Sequence, residues 1–130
     1  MKKRTITTLL CLVMIFSICS ISAQARWENT SSIELGISYS SGTVSWTGSI
    51  MGHSDTTKIT ANYTLEKLGS NGKYTVVDTW TGLSTTTRII LNSSGSASGT
   101  AGTYRLTLSG TVQTATYSEP ISSSCVRTFS

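Results

Sequence analysis

Beyond residue 25, apolar side chains recur at every second position in a series of short segments. Ile33, Leu35, Ile37 and Tyr39 alternate with Glu34, Gly36 and Ser38. Val44, Trp46, Gly48 and Ile50 alternate with Thr43, Ser45, Thr47 and Ser49, and Ile59, Ala61, Tyr63 and Leu65 with Thr60, Asn62, Thr64 and Glu66. Tyr104, Leu106, Leu108 and Val112 oppose Thr103, Arg105, Thr107 and Thr111. This period of two is the signature of half-buried strands. The same rule puts Tyr74, Val76, Asp78 and Trp80 on one face, which the charge of Asp78 interrupts. It sets Thr87, Ile89 and Leu91 against Arg88 and Ile90, and suggests a last strand over residues 121–127. No window holds a helical rhythm over three turns, and Thr and Ser are poor helix-interior residues.

The joints between segments carry turn chemistry. Ser40-Ser41-Gly42 closes the first pair, and Gly69-Ser70-Asn71-Gly72 contains an Asn-Gly dipeptide suited to positive φ. Thr81-Gly82 marks another joint. Residues 92–102, rich in Ser and Gly, read as a mobile loop. Seven short alternating strands predict an all-β, antiparallel sandwich occupying residues 26–130, with Ser and Thr turned to water.

The first 25 residues follow a different logic. Lys2, Lys3 and Arg4 precede an apolar run from Ile6 to Ile21, and Ala23-Gln24-Ala25 supplies small residues before Arg26. That order predicts a secretory signal peptide over residues 1–25, cleaved after Ala25. The run is broken by Ser17, Ser20 and Ser22 and is shorter than a typical span, so no stable membrane insertion of the mature chain is expected. Of 130 residues, 105 would remain, twenty Ser and twenty Thr among them. Seven bases would face six acids, a balance that does not suggest a nucleic-acid partner. Cys11 and Cys19 would leave with the leader. Cys125 then becomes a buried small hydrophobe, an unpaired thiol or half of an intermolecular disulfide.

Candidate chemistry is sparse. His53 is the lone imidazole, in Met51-Gly52-His53-Ser54-Asp55, and no Gly-x-Ser-x-Gly elbow accompanies it. One His and one mature Cys do not make a structural zinc site. The acids are dispersed, without a calcium-type loop. The expectation is a non-enzyme with no catalytic residues, cofactor or metal. Trp46, mid-strand, reads as core. Trp80, ending its strand beside Gly82, is the candidate ligand contact together with Asp78, a ring and a carboxylate suited to a glycan or to a protein pocket. Tyr74, Tyr117 and Trp27 are further candidate surface rings.

Gly102-Thr103-Tyr104-Arg105-Leu106 resembles the F strand of immunoglobulin-like domains, where Gly-x-Tyr-x-Cys carries a tyrosine corner. Leu106 stands where antibody domains have Cys, and Thr100 where an acidic residue is usual. The resemblance is thus to the broad immunoglobulin-like or fibronectin-III-like architecture. The leader, Tyr63-Thr64-Leu65-Glu66-Lys67, Gly72-Lys73-Tyr74, Trp80 and Gly102-x-Tyr104-Arg105 together resemble a group of small secreted proteins of Gram-positive bacteria without assigned activity. The resemblance implies a fold and an export route. The expected function is a secreted, non-enzymatic binding module with an unknown protein or glycan partner. A carbohydrate-binding module using exposed Trp and Tyr is the first alternative, and a small secreted toxin or inhibitor the second.

Overall fold

The computed structural model describes residues 19–20, 28–86 and 89–130. Apart from Cys19 and Ser20, the expected leader therefore lies outside the described residues. These residues form a two-residue strand, β1 (Cys19–Ser20), and seven long ones: β2 (Thr30–Ser40), β3 (Thr43–Gly52), β4 (Lys58–Leu68), β5 (Tyr74–Thr85), β6 (Ile90–Ser98), β7 (Thr103–Gln113) and β8 (Ser118–Thr128). There is no helix among them. Two antiparallel sheets result, in the orders β1-β2-β3-β6 and β5-β4-β7-β8. We call them sheets A and B.

Local chemistry explains the hairpins. Ser41 and Gly42 both take positive φ, 47° and 82°, so a two-residue turn joins β2 to β3 with the twist the strands require. In the β4–β5 hairpin Gly72 has φ 79°, and the Asn71 side chain accepts the Lys73 N–H at 3.0 Å.

The alternating segments bury the faces their patterns indicate. Ile33, Leu35, Val44, Trp46, Ile59, Tyr63, Leu106 and Leu108 all lie in the core between the sheets. Tyr104 is buried too, and its hydroxyl donates to the Thr100 carbonyl, four residues upstream, at 2.6 Å. Arg105, on the opposite face of the same strand, forks onto Glu66.

Several expectations are corrected. Residues 92–98 are not a loop but most of β6, paired with β3 from Asn92↔Ser49 to Ser98↔Thr43. Their smallness has a structural cause. A Cβ on Gly95 would sit 2.5 Å from Trp46 Nε1 and 2.9 Å from Trp80 Cε2, so the bare backbone there makes room for two indoles. Trp46 packs on Tyr63 at 4.3 Å and on Trp80 at 5.1 Å between ring centroids. The second correction concerns β5. Val76 pairs with Glu66 and Asp78 with Leu65, leaving Val77 as an extra residue, and Thr81-Gly82 together face Asn62. Each bulge resets the alternation. Tyr74 and Val76 turn outward, while Val77, Trp80 and Leu83 pack against the core.

The strand expected around Thr87, Ile89 and Leu91 is shifted as well. Leu91 is buried, Ile89 is exposed before β6 begins, and residues 87 and 88 lie outside the described residues. Cys125 is buried on β8, in keeping with the first of the three states expected of it, but it is disulfide-bonded rather than an unpaired thiol. The other cysteines of the sequence are Cys11 and Cys19.

Candidate functional site

The ends of several strands meet at one pole of the sandwich: the start of β2, the 53–57 loop, the approach to β6 and the 114–117 turn. Backbone hydrogen bonds tie them together. Gly52 N–H donates to the Ile89 carbonyl at 2.7 Å, His53 N–H to Asn29 at 3.1 Å, and Thr57 N–H to Gln113 at 2.7 Å. Thr114 N–H closes its turn on the Tyr117 carbonyl at 2.8 Å, and Thr114 Oγ1 accepts the Tyr117 N–H at 3.2 Å. A Cβ on Gly52 would collide with the Thr56 side chain, so a larger residue there requires that side chain to shift.

Glu119 anchors the arrangement from β8. Its buried carboxylate accepts the Glu28 N–H at 2.6 Å, the Asn29 N–H at 3.2 Å and the Thr30 hydroxyl at 2.7 Å. Three donors compensate the cost of taking a carboxylate out of water. No sequence signal marks this clamp, since its partners lie about ninety residues away along the chain.

The platform displays apolar groups. Tyr117 is 55% exposed and Ile89 40% exposed, with His53, Ser54 and Asp55 exposed between β3 and β4. Beneath them the Asn29 side-chain amide and the Thr56 hydroxyl are buried without a hydrogen-bond partner. The loops that carry this exposed Tyr and aliphatic group are braced by the backbone hydrogen bonds given above. Among the described residues no group of three or more His, Cys, Asp or Glu is placed to hold a metal ion.

The sequence-derived candidates lie elsewhere. Trp80 pairs with Tyr63, is half-buried, and spends one side of its ring on Trp46. Asp78 is exposed beside the Val77 bulge, its Oδ1 accepting the neighbouring Thr79 N–H at 2.8 Å. Of the further rings, Tyr74 is covered by the Arg105 guanidinium at 4.0 Å and Tyr117 stands free at the pole. Trp27 is outside the described residues.

Hollows lie elsewhere on the surface of the described residues. One, of about 360 Å³, crosses sheet A between the side chains of Glu34, Thr47, Ser49, Asn92 and Ser94. Another, of about 470 Å³, lies by the β4–β5 hairpin and is lined by Lys67, Leu68, Thr75, Val76 and Val77 among others. In the core, the Tyr63 hydroxyl is pushed up to about 12 by burial, with Ser93 as a partly compensating polar neighbour. It titrates too high for acid–base work near neutrality. No helix among the described residues is long and apolar enough to cross a membrane. No protein-family model, curated protein or solved structure matches the chain.

Proposed function

We propose that the chain is an exported, single-domain module of immunoglobulin-like, fibronectin-III-like type that binds a protein partner at or outside the bacterial cell surface, without catalysis. Residues 26–130 form the module and residues 1–25 its cleaved leader. With β1, which falls within the leader, set aside, the sheet orders β2-β3-β6 and β5-β4-β7-β8, and the Tyr104–Thr100 hydrogen bond at a tyrosine corner, support the architectural part of this reading. Fold alone does not assign a role, which has to come from a site.

The observation that carries the binding role is the pole at which hydrogen-bonded loops hold Tyr117 and Ile89 in solvent. Loops on a rigid sandwich are the usual bearers of recognition. A protein partner is favoured over a glycan because the pole exposes a ring and an aliphatic chain on separate loops, whereas the Trp80 indole is engaged with Trp46.

The test uses protein recovered from the culture medium, whose intact mass also reports whether it begins at Arg26. Wild type and Tyr117→Ser/Ile89→Ser are immobilised and challenged with cell-surface and secreted-protein fractions, and separately with cell-wall polysaccharide. The expected result is a retained protein that the loop variant loses while its thermal midpoint is unchanged. Equal retention by both variants refutes the loop site. Retention of polysaccharide instead makes the module a carbohydrate binder.

A further inference from the structure

The outer face of sheet B carries a row of four side chains, one from each strand. Val76 of β5 lies opposite Glu66 of β4, Glu66 opposite Arg105 of β7, and Arg105 opposite Val126 of β8. The outer two are exposed aliphatics, 57% for Val76 and 47% for Val126. The inner two form a bidentate pair, with Arg105 Nε and Nη2 each 3.1 Å from a Glu66 oxygen. Tyr74 lies against the guanidinium. An Arg held by both a carboxylate and an aromatic face has already lost its rotamer freedom, so burying it costs less entropy.

The order along this row is apolar, acidic, basic, apolar, and its midpoint falls between β4 and β7, the two central strands of the sheet. A two-fold axis parallel to the strands at that midpoint lays the row on its own copy. Glu66 then faces Arg105 of the second copy, Arg105 faces Glu66, and each Val76 faces a Val126. Charge and apolarity are both satisfied, as an isologous contact demands. The adjoining outward row, Thr79, Thr64, Thr107 and Ser124, carries short side chains that permit two sheets to close to about 10 Å. Four strands at about 4.8 Å and eleven residues at about 3.4 Å give a face of roughly 700 Å² per copy, enough for a specific but modest interface.

We propose that this chain forms a symmetric dimer through the outer face of sheet B, with Val76 of each copy packed on Val126 of the other across a four-charge centre of Glu66 and Arg105. The surface is distinct from the loop pole, so the dimer presents two copies of that pole.

Sedimentation velocity on the purified chain over a concentration series, with reductant present so that Cys125 cannot bridge two copies, tests the contact. The wild type is expected to shift from monomer to a species of twice the mass. Val76→Lys and Val126→Glu, each at an exposed position and therefore harmless to the fold, are expected to remain monomeric with unchanged circular dichroism and thermal midpoint. The double variant Val76→Lys/Val126→Glu sets Lys against Glu across the axis and is expected to dimerise again. A wild type that stays monomeric throughout overturns the proposal. So do single variants that dimerise as well as the wild type, and so does a double variant that fails to recover.

Discussion

Replacing Gly95 by Ala adds one methyl group at the point where β6 passes over the core indoles. Two effects oppose each other. On an open strand the change stabilises by about 0.4–1 kcal/mol, because Ala has less backbone freedom to lose. Here the new Cβ would lie 2.5 Å from Trp46 Nε1 and 2.9 Å from both Trp46 Cε2 and Trp80 Cε2. Trp46 is fully buried and held on its other side by Tyr63, so it has nowhere to move. Overpacking of this kind costs about 1–3 kcal/mol. The steric cost wins, and a net loss of about 1–2 kcal/mol is expected. For a domain near this size each kcal/mol moves the thermal midpoint by roughly 4–8 °C. Ser96→Ala, on the exposed side of the same strand, serves as the control and should stay within about 0.5 kcal/mol of wild type. Adding Trp80→Phe to Gly95→Ala should recover part of the loss, giving a coupling energy in a double-mutant cycle. Gly95→Ala as benign as Ser96→Ala, or stabilising, would refute the placement of β6 over the indoles.

Glu119→Leu removes the acceptor of three hydrogen bonds and leaves the Glu28 N–H, the Asn29 N–H and the Thr30 hydroxyl without it, and a stability loss of about 2–3 kcal/mol is expected. Hydrogen exchange should show Glu28 and Asn29 amides losing protection first; exchange unchanged from wild type would count against the clamp. In alkaline solution the unfolded chain ionises Tyr63 near 10 while the folded chain holds its proton to about 12. The unfolded state therefore binds fewer protons between those values, and stability falls as pH rises through them, by about 2–3 kcal/mol at the upper end. Tyr63→Phe removes that part of the decline, so parallel pH–stability curves for the two proteins would contradict it.

The contrast between legible and illegible parts of the fold has a physical basis. Strands such as β2 and β7 announce themselves because large apolar residues fill most inward positions, Gly110 of β7 being an exception. β6 hides because its inward positions after Leu91 are Ser93, Gly95 and Ala97, whose size answers to rings supplied by β3 and β5. Period-two reading also assumes an unbroken ladder. β5 breaks it twice, and nothing in Tyr74-Thr75-Val76-Val77-Asp78 distinguishes the valine that turns inward from the one that faces water. At the pole, Tyr117 was visible as a candidate surface ring. Ile89 was not, because alternation assigned it to the strand that follows. Glu119 was invisible for a different reason, since a clamp across the whole chain leaves no local pattern.

The bulges of β5 limit how this molecule can grow. A fibril extends by adding strands to an unbroken ladder of free N–H and C=O groups, each new chain templated by the last. On one flank of sheet B that template is interrupted at Val77 and at Thr81-Gly82, and the Asn62 side chain takes the Gly82 N–H at 2.9 Å. On the other flank Pro120, within β8, has no N–H to offer. Both edge strands of sheet B thus depart from the uniform ladder that a straight, in-register addition prefers. A chain rich in Thr, and expected to work in the open medium where no chaperone attends it, thereby carries its own defence against cross-β polymerisation in this sheet.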